Sequence, residues 1–121
     1  MEVRFEKGIP GFEEYKDFKI DSINDKFKSI SSIENSNIGF ISVSPFDIRD
    51  NYELDLNDEL INELKIEDSN DVLVLSLVTL GSTLEKSTAN LKAPLIINIK
   101  NNKGKQLILQ DDKYKIKEPL M

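Results

Sequence analysis

Between Asp71 and Leu80 the chain reads DVLVLSLVTL. Side chains of a strand alternate between two faces, and here both sets are apolar, with Val74 and Val78 on one and Leu75 and Leu77 on the other. Such a strand must be covered on both sides. It is expected to be the spine of the core.

Other strands follow from the same reading. In NLKAPLIINIKNNKGKQLILQD (Asn90 to Asp111) an apolar run entered through Pro94 meets a polar turn over Asn101 to Gly104, and Leu107 to Leu109 resumes the apolar pattern. This predicts a hairpin, with Gly104 available for a left-handed residue. FKSISSI (Phe27 to Ile33) and IGFISVS (Ile38 to Ser44), joined by ENSN, predict a second hairpin, ended by Pro45, which offers no amide hydrogen to a ladder. In GIPGF, Pro10 and Gly11 suit the two central positions of a type II turn. Phe12, Tyr15 and Phe18 recur every third residue, which predicts a short helical turn with its aromatics in the core. GSTLEKSTANLK (Gly81 to Lys92) reads as a loop or a weaker strand.

The convincing helix is NDELINELKI. Asn57 is a suitable N-cap, Asp58 and Glu59 complement the positive end of the helix dipole, and Leu60, Ile61 and Leu64 form one apolar stripe. Its outward face carries Asp58, Glu59, Asn62 and Glu63. This helix lies in an acidic segment, because Asp47 to Asp71 holds ten acids against Arg49 and Lys65, a local net of −8. The formal net charge of the whole chain is −6, so the remainder is slightly basic at +2. A concentrated acidic field repels phosphate backbones and attracts basic proteins. The alternative is that these acids only solvate one face.

A chain of 121 residues suits one domain that buries roughly two-thirds of its unfolded surface. No apolar run approaches the ~18 residues of a membrane helix. MEVRFEKGIPGF lacks the apolar core and cleavage site of a signal peptide, so export is not expected. The chain has no cysteine and no histidine. Disulfides, thiolate metal sites and imidazole acid–base chemistry are therefore excluded. The five glycines are dispersed among turns and form no phosphate-cradling loop, dinucleotide fingerprint or nucleophile elbow. Two carboxylate pairs remain, Asp111 with Asp112 and Asp47 with Asp50, and neither has the ligand count of a calcium loop. No catalytic residue, metal or cofactor is expected.

GIPGFEEYKDF, IGFISVSPFDI and NLKAPLIINIKNNKGKQLILQDDKY closely resemble the flagellar assembly factor FliW family, and the three blocks occur in the family's order. The resemblance implies a mainly β, small single-domain antiparallel β-barrel-like fold spanning residues 1–121, with one or two short helices, in the bacterial cytoplasm. It also implies two alternative protein partners, newly made flagellin and the RNA-binding translational repressor CsrA. By binding CsrA, such a protein releases flagellin mRNA for translation, and accumulating flagellin recaptures it. No nucleic acid and no membrane is then contacted directly. Family members usually carry another strand, with a pattern like FGEIEV, ahead of the residues matching MEVRFEKGIPGF. Its absence predicts an open sheet edge near the N-terminus.

A basic RNA-binding partner points to Asp55, Asp58, Glu59, Glu63, Glu67 and Asp68 as the binding residues, through steering and rim contacts of ~0.5–1 kcal/mol each. Two alternatives come from other classes. A nucleic-acid-binding barrel would use the lysine-rich end, Lys100, Lys103, Lys105, Lys113, Lys115 and Lys117, with Tyr114 for stacking. A hydrolase would have to work with carboxylates alone.

Overall fold

The computed structural model describes residues 1–110 and 112–120. Among them the segment Val72–Thr79 is the longest strand, and its neighbours explain why it is apolar on both faces. In chain order the strands are β1 (Glu2–Phe5), β2 (Asp17–Ser22), β3 (Phe27–Ser32), β4 (Gly39–Val43), β5 (Val72–Thr79), β6 (Thr88–Ala89), β7 (Leu95–Asn98), β8 (Lys103–Gln106) and β9 (Glu118–Pro119). The helices are α1 (Pro45–Ile48) and α2 (Asp58–Leu64), with single 3₁₀ turns at Ser69–Asp71 and Leu84–Lys86.

Hydrogen bonding runs in the order β4-β3-β2-β1-β8-β7-β5. The circle then closes, because Ile41, Ser42 and Val43 of β4 face Val78, Leu77 and Ser76 of β5. Seven strands thus form a closed barrel, and β6 and β9 extend the sheet beyond β5. The β1–β8 pair is parallel, and the other pairs are antiparallel. Closure satisfies strand edges that would otherwise invite self-association. Glu2–Phe5 is bonded to β2 on one side and to β8 on the other, so the open edge expected near the N-terminus is not found there.

Inward positions follow the period of two. In β1 Val3 and Phe5 are buried while Glu2 and Arg4 are exposed. With Phe18, Ile20, Ile30, Leu75, Leu95 and Ile97 they fill the barrel interior. Phe5 meets Phe18 edge-on, with ring centroids 5.7 Å apart. Gly104 is required by the same packing, because a Cβ there would lie 2.6 Å from Phe5 Cε1. Its φ is not left-handed; the left-handed residue of the β7–β8 turn is Asn102, at φ 59°. The hairpin itself is present, but its second strand is Lys103–Gln106. Leu107 and Leu109 continue the pairing by donating to the carbonyls of Pro94 and Lys92.

Outside the barrel a second layer covers β5 and β7. Val74 and Ile96 pack against Leu60 and Leu64 of α2. Val43 and Ala89 pack with Tyr52, Leu91, Tyr114 and Leu120. Within β5, Val74 and Leu75 are buried, whereas Leu77 and Val78 are only half-buried. The spine is therefore real, but its centre lies nearer Leu75 than Leu77. The type II turn is as expected, with Gly11 at φ 90° and the Phe12 N–H bonded to the Ile9 carbonyl at 2.7 Å. The aromatic triplet makes one hydrogen-bonded turn, Tyr15 N–H to Phe12 O at 3.0 Å, and no helix. Pro45 ends β4 and opens α1, where its missing N–H has no partner to lose.

Candidate partner-binding surface

The acidic segment is a strap that leaves β4, crosses the outside of the barrel and returns as β5. It adheres by simple alternation. Tyr52, Leu54 and Leu56 face the sheet, while Glu53, Asp55 and Asn57 are exposed. The sequence YELDLN carries this period of two, a signal hidden by the local excess of charge.

From Asn57 the chain turns into α2. The Asn57 side chain accepts the Leu60 N–H at 2.8 Å, satisfying one of the first-turn donors. Leu60 and Leu64 are buried, and Asp58, Glu59 and Asn62 are exposed. At the other end Lys65 adopts the left-handed conformation, φ 54°, so that its N–H reaches Asn62 O and the Ile66 N–H reaches Ile61 O. Most helices place glycine at such a position.

The last carbonyls of α2 are satisfied from the β7–β8 hairpin. Asn98 donates from Nδ2 to Leu64 O at 2.9 Å and to Lys65 O at 3.1 Å. Asn101 Nδ2 donates to the same Leu64 oxygen at 2.9 Å. The oxygens of both amides are also used, Asn98 Oδ1 by Lys100 N–H at 3.0 Å and Asn101 Oδ1 by Lys103 N–H at 3.1 Å. Asn98 is 2% exposed, so its donors have no water to fall back on.

The six acids expected to bind a partner are not equivalent. Glu63 is drawn against the barrel, with Lys105 Nζ donating to both of its oxygens at 2.9 and 3.0 Å and Lys7 at 3.5 Å. The Lys105 hydrogen bond, helped by the charges of Lys105 and Lys7, holds the Glu63 carboxyl below the usual carboxylate range. Asp55, Asp58, Glu59 and Glu67 are exposed, and among the described residues no ion pair engages them. Asp68 is exposed and spends one oxygen on the Asn70 N–H at 2.9 Å. A helix of this length is about 10 Å long. Asp55, Asp58 and Glu59 therefore cluster at its start, and Glu67 and Asp68 follow its end.

The strap is also fixed at its first turn. Arg49 pairs with the buried Glu118 of β9. Tyr52 donates to Leu91 O at 2.8 Å, and its ring lies 4.5 Å from that of Tyr114. Burial, reinforced by Tyr114, pushes the Tyr52 hydroxyl up to about 12. Tyr114 is buried and accepts the Glu53 N–H at 2.6 Å, so its ring is not presented as a stacking platform beside the C-terminal lysines. Lys105, another member of that lysine-rich end, is already paired with Glu63.

Among the described residues no group of three or more Asp, Glu, Cys or His is placed to hold a metal ion. The Asp111–Asp112 pair falls partly outside the described residues.

The family model for the FliW protein matches residues 2–120. The chain belongs to the FliW family. A flagellar assembly factor FliW from Clostridium botulinum (strain 657 / Type Ba4) is 52% identical over 120 residues, covering 98% of this chain and 84% of that protein. The flagellar assembly factor FliW of Clostridioides difficile (strain 630) is 46% identical over 123 residues, covering 100% of this chain and 95% of that one. A crystal structure of the flagellar assembly factor FliW superposes with a TM-score of 0.94 at 38% identity, covering 99% of this chain and 85% of that one. The mainly β barrel with two short helices is thus the FliW fold. The family is named for flagellar assembly and not for a reaction. No helix among the described residues is long and apolar enough to cross a membrane.

Proposed function

We propose that this FliW-family chain acts by binding alone, as a cytoplasmic partner switch between the translational repressor CsrA and flagellin. Bound to CsrA it antagonises repression of flagellin mRNA; bound to flagellin it is withdrawn from CsrA. The observation that carries this reading is the nearly full-length FliW match combined with an outer strap whose Leu54, Leu56, Leu60 and Leu64 pack on the barrel and whose Asp55, Asp58, Glu59, Glu67 and Asp68 are exposed. A basic RNA-binding protein is the partner such a field attracts. Direct competition for RNA by this chain is disfavoured, because an acidic strap repels the phosphate backbone and Tyr114 is buried.

Antagonism without RNA contact requires differential binding. If it is allosteric, the repressor with this chain bound holds RNA more weakly, and RNA weakens the chain's binding by the same factor. If it is competitive, no ternary species forms. Titrating a labelled repressor–RNA complex with the protein tests the reading. The expected result is RNA release at saturation, and unchanged RNA affinity would overturn it.

A further inference from the structure

We propose that Asn98 and Asn101 are positioning residues for the acidic face, the β7–β8 hairpin acting as a clamp that holds α2 and its charges at a fixed angle to the barrel. This rests on the reading of that face as the repressor-binding surface. An isolated helix of this length is unstable in water, because nucleation is costly and few bonds repay it. The persistence of α2 therefore depends on tertiary support. Its apolar side has Leu60 and Leu64 on Val74 and Ile96. Such contacts leave the carbonyls that end the last turn without hydrogen-bond partners.

Three amide hydrogen bonds, all between 2.9 and 3.1 Å, converge on Leu64 O and Lys65 O and fix that turn. They carry direction, which apolar contact does not. They also offset the left-handed backbone of Lys65, a conformation that disfavours a side-chain-bearing residue. The hairpin supplies both amides in the right place because Asn98 ends β7 and Asn101 lies in the turn that follows. Glu63 adds a second fastening to β8 through Lys105. Asp58 and Glu59 then project from a helix whose far end is bonded to the barrel.

The test uses the full chain and purified CsrA, with affinity measured over a range of salt and backbone amide exchange followed by NMR. Asn98→Asp keeps an acceptor for Lys100 N–H, loses the donor to α2 and adds a negative charge. Electrostatics alone would make it bind a basic partner better. Clamping predicts the reverse, a loss of about fivefold in affinity, with faster exchange in α2 and unchanged exchange in β7. Asn101→Ala, at an exposed site, is expected to move both readouts the same way by less, and serves if Asn98→Asp fails to fold. Lys65→Gly, which relieves the left-handed residue independently, is expected to restore protection of α2 in either background; because it also removes a positive charge, its readout is protection and not affinity. Unchanged exchange in α2, or faster exchange with unchanged affinity, overturns the clamp. Charge reversal at Asp58 and Glu59 with no effect on affinity overturns the acidic-face reading instead, while the exchange result still decides whether the amides order the helix.

Discussion

Asn98 Nδ2 lies 2.9 Å from the carbonyl oxygen of Leu64, a residue 34 positions earlier in the chain. This one bond joins the most regular part of the sheet to the most acidic part of the surface. It explains why a hairpin without reactive groups carries three asparagines within five residues around its turn, Asn98, Asn101 and Asn102. Asn98 and Asn101 cap the helix, and Asn102 takes the positive φ that closes the turn. The hairpin is thus a scaffold for the strap as well as a wall of the barrel.

The barrel interior makes a first prediction. Leu75 is 1% exposed and sits among Phe5, Phe18 and Ile97, whereas Leu77 is only half-buried at the margin of the same cluster. Leu75→Ala is expected to cost about 2–5 kcal/mol through the lost contacts and the cavity left behind. Leu77→Ala should cost clearly less. Urea unfolding of the two variants checks the order, and a larger loss at Leu77 would mean that the packing has been misassigned.

Ser76 makes a second. Its side-chain oxygen is buried on the outer face of β5, and among the described residues no hydrogen-bond partner is found for it. A buried hydroxyl without a partner has lost its hydration for nothing. Ser76→Ala is therefore expected to leave stability unchanged or to raise it by up to about 1 kcal/mol. A loss of more than that in thermal unfolding would show that the hydroxyl has a partner after all.

Much of this was legible from local pattern. The Pro10–Gly11 turn, the Asn57 cap and the two-faced apolarity of β5 each depend on residues close in sequence, and each is present. What escaped depends on distant partners. Gly104 looks like a turn residue until Phe5 is placed beneath it. Glu63 looks like its neighbours until Lys105, 42 positions later, draws it against the barrel. The strap's alternation was visible in Tyr52, Leu54 and Leu56, but the intervening acids favour reading charge before periodicity. No local signal announces that β5 returns to β4 and closes the barrel.

Alkaline pH supplies a third prediction. The Tyr52 hydroxyl is raised to about 12 in the folded protein, against about 10 in an unfolded chain. Above pH ~10 the unfolded state therefore releases a proton that the folded state retains, and stability falls. The full contribution is present below pH ~10 and is lost by about pH 12, up to roughly 2–3 kcal/mol. Tyr52→Phe removes this part of the alkaline slope, at a cost near neutrality because Leu91 O loses its donor. Unfolding midpoints of both proteins across pH 8–12 make the comparison, and parallel slopes would count against it.

Glu63 behaves in the opposite sense. Its carboxyl is held below the ordinary range chiefly by the Lys105 hydrogen bond, so its stabilisation is present above the unfolded carboxylate pKa and is lost as pH falls through the folded value. Glu63→Gln is expected to cost no more than about 1 kcal/mol at neutral pH, as for other partly exposed ion pairs, and to flatten the acid limb of the stability profile. A pH-independent difference between Glu63→Gln and the parent would contradict this.

The two kinds of acid separate most clearly in binding. Asp58 and Glu59 are exposed and engaged by no ion pair among the described residues, whereas Glu63 is committed to Lys105 and Lys7. Only the first two are available to steer a basic partner. If the proposed partner is CsrA, Asp58→Lys with Glu59→Lys is expected to weaken its binding by about 1–2 kcal/mol, mainly through a slower on-rate, and to flatten its salt dependence. Glu63→Gln should change the salt slope less, because its carboxylate already lies against Lys105 and Lys7 and is not offered for a direct contact, even though the net charge changes by one. Association kinetics at several salt concentrations distinguish the variants. If all three acids contribute equally, the pairing of Glu63 with Lys105 does not survive in the complex. If none contributes, the strap is acidic only to keep its outer surface in water.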